Sequence, residues 1–324
     1  MSETAKTTVE GALSAAPHRG SLLTRLYDQP LFLLLIVGSF LALSMIFAKS
    51  GPIVGWHPLG LLQWSIIGGA GLLYFVTKLL GAESGRESRR ERSAKIRLLT
   101  YISITGLLFI APNMIAVMAA PKVGASFVSL TFAFPLVLTY AFAVLIGLER
   151  FKMLRSIGVL AGVVGGVLLA GGGAGVSAEA SFWSVVTLAI PVFLAAGNIY
   201  RTLKWPDGAT AIELALGMMV TAFLALAVFN AAMGIPVIPV DWTSAAASLL
   251  IANIGAFAVQ YGLYFRLQQV AGPVYLSQIG SVAAVAGLGL GYLVFSEIPN
   301  AAKIGAIAAV ALGIVFVALG KDRG

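Results

Sequence analysis

Glu213 is the only carboxylate well inside an apolar segment of this 324-residue chain. A carboxylate held in hydrocarbon can act as a proton relay. The local sequence TAIE, however, places Glu213 three residues after Thr210, which is the spacing of a capping box at a helix N-terminus. We favour the cap, because the helix dipole stabilises a negative charge at that end. The proton relay is the alternative.

Amide and hydroxyl side chains are the other polar groups of the apolar segments. Such groups are costly in hydrocarbon and face either a cavity or a neighbouring helix. A hydrogen bond to its own helix backbone is the simpler explanation for Ser44, whereas the amide after Pro112 can meet a ligand where the helix opens locally. The predicted substrate-binding residues are Ser44, Asn113, Asn198, Gln260, Tyr264 and Gln278. With Tyr200 and Tyr261 beside them, the predicted pocket is rich in amides and aromatic rings and poor in fixed charge.

Lys49 and Arg201 each lie at the C-terminal end of an apolar segment. Cations are favoured at helix C-termini, and their long side chains can reach the membrane interface. That structural role is one interpretation. The other is a gate in which one of the two cations holds a substrate carboxylate.

Several kinds of chemistry are excluded by residue type. The chain has no cysteine and only two histidines, His18 in the N-terminal tail and His57 beside a predicted loop. Without buried His, Cys or Asp there is no nucleophile–base pair and no set of metal ligands. No phosphate-binding G-x-x-x-x-G-K-[ST] motif is present either. The sequence therefore predicts neither an enzyme nor a metal or cofactor site.

The elements that must position these residues are membrane-spanning helices. The chain is 59% hydrophobic and 10% charged, whereas soluble domains carry roughly 25% charged residues. About 20 helical residues cross the hydrocarbon core. Ten segments of that kind occur, at 31–49, 57–77, 98–119, 124–147, 154–172, 181–200, 210–230, 243–266, 272–296 and 302–320. Residues 1–30 form a predicted cytoplasmic tail.

The distribution of basic residues predicts the orientation. With the N-terminus inside, only Lys49, Lys122 and Lys303 of the 21 basic residues fall on the outer side. This bias is typical of cytoplasmic loops and predicts a multi-pass membrane protein with both termini in the cytoplasm. We expect the bacterial inner membrane as its location. The net charge of +8 therefore reports orientation and contact with anionic lipid rather than nucleic-acid binding.

Two halves of the sequence match each other at an offset of 148 positions. Gly124 pairs with Gly272, and Glu149 pairs with Glu297, each glutamate ending a long apolar run. Five crossings per half reverse the second half relative to the first. The predicted fold is therefore an all-α membrane protein of ten helices in two inverted five-helix repeats, 31–172 and 181–320, an architecture common in secondary transporters.

The stretch PKVGASFVSLTFAFPLVLTYAFAVLIGLERFKMLRSIGVLAGVVGGVLLA resembles the signature repeat of EamA-type proteins in the drug/metabolite transporter superfamily. The shared features are a small-residue turn, a helix with Pro135 in its middle, the closing Glu149 and a glycine-rich helix. The segment ends LALSMIFAKS and FLAAGNIYR resemble the family's first and sixth helix ends, with Lys49 and Arg201 in place. The second repeat departs from the pattern at Ala283, which matches Pro135.

The resemblance covers residues 31–320 and implies a central cavity lined by spans one, three, four, six, eight and nine. It implies a secondary transporter that works by alternating access and exports its substrate. The composition of the predicted pocket, rich in amides and poor in fixed charge, favours a small neutral or zwitterionic metabolite such as an amino acid. An uncoupled facilitator is the alternative, and it gains weight if Glu213 only caps a helix. The predicted partners are the substrate and membrane lipid. The glycine-rich face of span five also suits helix packing or a homodimer.

Overall fold

The computed structural model describes residues 29–79, 92–145, 147, 150–171, 177–298 and 301–319, and every regular element in that part of the chain is helical. In chain order the α-helices are α1 (Pro30–Ser50), α2 (Pro58–Leu79), α3 (Arg92–Val123), α4 (Ala125–Thr131), α5 (Pro135–Leu145), α6 (Met153–Gly171), α7 (Ala178–Val186), α8 (Ala189–Leu203), α9 (Ala211–Ala232), α10 (Ser244–Ser277), α11 (Ile279–Phe295) and α12 (Ala301–Leu319). A short 3₁₀-helix, Gly51–Val54, follows α1. Glu149 and residues 1–28 of the predicted tail lie outside the described residues.

Seven helical stretches among the described residues are long and apolar enough to cross a membrane. They are Pro30–Val54, Pro58–Leu79, Ser93–Val123, Ala125–Phe142, Ala178–Leu203, Ala211–Ala232 and Ser244–Val270, and α11 is a shorter apolar helix. Large apolar side chains on these and neighbouring helices point outward; Val228, Ile251 and Leu293 are each at least 70% exposed. Such a surface suits lipid and not water. The prediction of an all-α, multi-pass membrane protein is confirmed at this level.

The helices pack in a bundle around a central group. α1 contacts α10 and α11, α2 contacts α9 and α10, and α3 contacts α8 and α9. The main partner of α6 is α12, and this pair contacts the rest of the bundle chiefly through α5 and α7. The main buried cluster includes Met45, Phe109, Phe132, Met218 and Phe265. The residues at the centre of the bundle therefore come from α1, α3, the α4–α5 segment, α8, α9, α10 and α11.

Two predicted spans are broken helices. The span predicted at 124–147 consists of α4 and α5, separated by a turn at Phe132–Phe134. Pro135 starts α5, as expected for a residue that has no N–H to donate and is tolerated in a first turn. The span predicted at 181–200 is likewise divided into α7 and α8 at Thr187 and Leu188. At both breaks the N–H groups of the turn residues donate to carbonyls three or four residues earlier.

The predicted boundary between spans eight and nine is wrong. The sequence predicted a break at 267–271, but α10 continues helically to Ser277, and the chain breaks at Gln278 instead. Leu267 and the two following glutamines are good helix formers, so nothing interrupts the helix there. The corresponding boundary between spans three and four is correct, because Gly124 has a φ of +100°, which glycine adopts readily.

Glycines allow α11 to lie directly on the broken helix. A methyl group on Gly280 would lie 1.4 Å from the carbonyl oxygen of Phe132, and one on Gly287 would lie 2.2 Å from Cβ of Ser129. The backbones therefore approach more closely than any larger residue would allow. The close contact fixes the turn at Phe132–Phe134 beside the start of α11.

Candidate functional site

A cavity lies at the centre of the bundle, with a volume of about 50 Å³. Its lining residues are Leu41, Leu108, Phe109, Pro112, Asn113, Phe132, Leu194, Arg201, Met218, Gln260, Tyr261, Tyr264 and Ile279. A second cavity of about 50 Å³ adjoins it, shares Phe132 and Tyr264 among other residues, and adds Asn198 and Gly280. A water needs roughly 10–15 Å³ by this kind of measure. Each cavity therefore has room for a few waters or a small group.

Arg201 contributes its guanidinium to the wall of the first cavity. The residue lies in the last turn of α8 and is only 3% exposed. Helical side chains point towards the N-terminus of their own helix, and Gly197, one turn earlier, leaves room for the guanidinium, since a Cβ there would lie 3.2 Å from Nη1 and Nη2. The side chain therefore folds back towards the middle of the bundle. The sequence placed Arg201 at a helix end and predicted a pocket poor in fixed charge, whereas the structure puts this charge in the cavity.

Asn198 and Tyr264 hold the guanidinium in place. Nη2 of Arg201 donates to Oδ1 of Asn198 at 2.9 Å and to the Tyr264 hydroxyl at 2.8 Å. The Tyr264 hydroxyl in turn donates to Oδ1 of Asn198 at 3.2 Å. The guanidinium also lies 5.4 Å from the centre of the Tyr264 ring, within the range of a cation–π contact. These three predicted residues form one polar cluster that joins α8 to α10.

Two further predicted amides line the same cavity. Nδ2 of Asn113 donates to the Phe109 carbonyl at 2.8 Å, which reinforces α3 next to Pro112. Gln260 is 3% exposed, and its Oε1 accepts from the Ser44 hydroxyl at 3.3 Å. The Ser44 hydroxyl has one hydrogen, which it shares with the Phe40 carbonyl at 2.9 Å. That second contact is the bond to its own helix that the sequence predicted. Ser44 itself lines neither cavity.

An aromatic wall faces these polar groups. The Phe109 and Tyr261 rings meet edge to face with centres 4.8 Å apart, and Tyr261 lies 6.2 Å from Tyr264. Leu41 and Phe132 complete the apolar side of the cavity. From the sequence, the tyrosines are predicted pocket residues, but Leu41, Phe109 and Phe132 are not. In a membrane protein, residues that face lipid and residues that face a cavity are equally apolar, so periodicity does not distinguish them.

Lys49 and Glu297 form an ion pair at one end of the bundle, with Nζ and Oε1 2.5 Å apart. The same carboxylate accepts from the backbone N–H groups of Ala125 and Ser126 at 3.0 and 2.9 Å, and so caps α4. Ser126 then donates to the Gly287 carbonyl at 3.1 Å. We call Lys49, Glu297 and the first turn of α4 the end latch. It joins α1, α4 and the residues after α11.

The end latch affects the pKa of Glu297, which lies just beyond α11. Burial of the carboxyl acts to raise its pKa, but hydrogen bonds from Lys49 and Ser126, together with the Lys49 charge, outweigh burial and hold the pKa below its usual value. Glu297 is therefore ionised at neutral pH, and the ion pair is intact. The ammonium of Lys49 also lies 4.3 Å from the centre of the Phe295 ring.

The remaining predicted residues lie away from the cavities. Glu213 is half-buried in the first turn of α9, where its N–H donates to the Thr210 hydroxyl at 3.2 Å. This is the bond that a cap requires. Gln278 is half-buried at the break between α10 and α11 and lines neither cavity. A buried pair that the sequence did not single out, Asn230 and Gln63, bonds at 2.8 Å between α9 and α2.

The fold and cavity define a helical membrane protein with an internal polar site. No family model matches the chain, and no curated protein matches it in sequence. Chains of known structure do match it. One, described only as a crystal structure of a protein, is 18% identical with a TM-score of 0.59, over 89% of this chain and 95% of its own. The helical arrangement is therefore one that another protein also adopts over nearly its whole length.

Proposed function

We propose that this chain is a secondary transporter of the EamA type that moves a small organic metabolite across the bacterial inner membrane by alternating access. The observation that carries the proposal is the central cavity, which is enclosed by helices from both halves of the chain and lined by buried polar groups. Pockets of this kind, apolar with a few oriented polar groups, are typical binding sites. In transporters they lie where two repeats meet.

The pattern of helix contacts supports two related halves. In the predicted repeat, α1, α2 and α3 correspond to α8, α9 and α10, and the α4–α5 span corresponds to α11. The contact of α1 with α10 then corresponds to that of α8 with α3, and the contact of α2 with α10 to that of α9 with α3. The contact of α1 with α11 corresponds to that of α8 with α5. The contacts α2–α9, α4–α11 and α6–α12 are unchanged when corresponding helices are exchanged. All of these pairs occur. This correspondence is what an inverted repeat of five helices would produce, since equivalent helices then meet equivalent neighbours.

The end latch supports alternating access. It lies on the side of the bundle that the distribution of basic residues assigns to the outside, and it ties α1 and α11 to the start of α4. A site that opens to one side at a time needs a closure that can be broken. Hydrogen bonds and an ion pair at the bundle end suit that role better than apolar packing, because water can satisfy the separated groups.

The test is transport by purified protein in liposomes. A panel of labelled amino acids and small metabolites is offered with and without an imposed pH gradient, and protein-free liposomes serve as the control. We expect saturable uptake of a restricted set of compounds, and accumulation that follows the gradient would indicate proton coupling. Uptake that only equilibrates and ignores the gradient would indicate the facilitator. The absence of any protein-dependent uptake would contradict transport.

Alternating access has its own test, because the chain has no cysteine of its own. A variant with cysteines at positions 49 and 297 can be cross-linked by a short bismaleimide across the latch. We expect transport to stop after cross-linking. The two single-cysteine variants, treated in the same way, should retain the activity that they had before treatment. Full transport by the cross-linked protein would contradict the assignment of this end as a gate.

A further inference from the structure

Arg201 is the one charged side chain that lines the central cavity, and it is buried without a counter-ion among the residues that the structure describes. Its contacts there are with the neutral side chains of Asn198 and Tyr264. No carboxylate in the described part of the chain lies within salt-bridge distance of it. The cavity that it lines therefore carries a net positive charge.

The burial of such a charge has to be compensated. An ion taken out of water without a partner loses much of its solvation free energy. Charged groups within membrane segments usually mark substrate or ion pathways. Arg201 cannot escape the cost by losing its proton, because the guanidinium stays charged at any physiological pH. A ligand that brings one negative charge into the cavity would supply the missing partner.

The guanidinium has N–H groups left for a negatively charged ligand. Of the five N–H groups of an arginine, the two on Nη2 are used by Asn198 and Tyr264. Nε is buried and has no acceptor. Asn198 and Tyr264 thus hold the group in one orientation and leave its other N–H groups free. This is the preorganised arrangement that favours an incoming oxyanion.

We propose that Arg201 binds the carboxylate of the transported substrate. This inference rests on the proposed function, and it restricts the substrates to small metabolites that carry one carboxylate and a short apolar group. A single guanidinium matches a single negative charge, whereas a phosphate ester with nearly two would exceed it. The apolar group of the substrate would pack against Leu41, Phe109 and Phe132, which line the cavity. The free space is small, so the apolar group must be short.

The test measures binding to the purified full-length chain in detergent by isothermal titration and thermal shift. The probes form a matched set: L-valine; 3-methylbutanoate, which lacks the amino group; 2-methylpropan-1-amine, which lacks the carboxylate; and L-valinamide, in which the carboxylate is neutral. We expect binding of the two carboxylates only. Charge-assisted hydrogen bonds are strong enough that Arg201→Gln should weaken it about 10- to 100-fold.

Two variants separate charge from folding. Arg201→Lys keeps the charge but loses the planar fork, so it should bind carboxylates with intermediate affinity. Arg266→Gln removes an arginine on α10 that bonds to Gln269 and lines neither cavity, and should bind as the wild type does. Elution as a single monodisperse species shows that each variant is folded.

The inference is overturned if wild-type protein binds neither carboxylate, if the amine or amide binds as well as they do, or if folded Arg201→Gln binds them unchanged. Its failure is distinct from failure of the transport proposal. If carboxylates bound in an Arg201-dependent way but were not taken up into liposomes, the proposed binding site would be supported and the proposed transport contradicted. If compounds without a carboxylate were taken up and Arg201→Gln did not change their uptake, transport would be supported and the Arg201 carboxylate site contradicted.

Discussion

Lys49 and Glu297, 248 positions apart in sequence, form an ion pair that closes one end of the helical bundle. The Glu297 carboxylate also accepts from two backbone N–H groups at the start of α4. The N-cap residue of α4 is Gly124, which has no side chain to accept from these N–H groups. One carboxylate thus replaces a local cap and joins three elements, which makes the end latch sensitive to a single substitution.

Glu297→Gln should open this end of the bundle. The amide keeps the size of the side chain but loses the charge, and hydrogen bonds to charged groups contribute about 1.5–3 kcal/mol. A reporter cysteine at Ala42, which is fully buried, should then react with a maleimide about tenfold faster than in the parent protein. The control is Glu179→Gln, because the Lys122–Glu179 pair is exposed and such pairs contribute little. Equal rates in all three proteins would contradict the latch.

The stabilisation by Glu297 should depend on pH in one direction. Its pKa lies below the ordinary value of 4.5, so the folded state favours the ionised carboxyl. The contribution is then fully present above the unfolded pKa and is lost as the pH falls through the folded pKa. We expect the Tm difference between wild type and Glu297→Gln to be constant from about pH 6 to 8. It should disappear only in more acidic solution, and a loss between pH 6 and 8 would contradict this assignment.

Asn198→Asp should inactivate the substrate site without disturbing its shape. The new carboxylate would lie where Oδ1 now accepts from Arg201 at 2.9 Å, and would supply the counter-ion from within the protein. Carboxylate binding should fall as far as in Arg201→Gln, about 10-fold or more. Thermal stability should be equal to or above that of wild type, because a buried charge gains a partner. Unchanged carboxylate binding would show that the Arg201 charge is not used.

The sequence was a better guide to which polar residues are buried than to the direction in which each side chain points. Asn113, Asn198, Gln260 and Tyr264 all reach a cavity, because polar groups in hydrocarbon have few other places to go. Gln278, predicted by the same reasoning, lies instead at a helix break. Helix breaks depend on tertiary contacts, and the close approach of Gly280 to Phe132 is not visible in either local sequence.

The sequence alone does not determine where the side chain of Arg201 points. Its position at a helix end allowed the side chain to extend to the interface or to fold back, and both are common. Gly197 and the hydroxyl of Tyr264, 63 positions away, decide between them. The sequence contains both residues, but only the packing of α8 against α10 brings them to the guanidinium.

Gly280→Ala should destabilise the protein strongly. Its methyl group would meet the backbone carbonyl of Phe132 at 1.4 Å, and a backbone atom cannot rotate away as a side chain can. Overpacking of this kind costs about 1–3 kcal/mol or more. Gly289→Ala, on the same helix with nothing within 4 Å, is the matched control and should be neutral or up to about 1 kcal/mol stabilising. Thermal unfolding in detergent measures both, and equal Tm values would contradict the close α4–α11 contact.

Glu213→Gln should leave transport and its dependence on a pH gradient within about twofold of wild type. Its N–H bonds to Thr210, and neither cavity is lined by its side chain, so it has the environment of a helix terminus. Removal of the cap itself, by Thr210→Ala, should cost about 1 kcal/mol of stability. If gradient-driven uptake collapsed in a folded Glu213→Gln protein, the carboxylate would have to be a proton relay, and the helix-cap interpretation would be wrong.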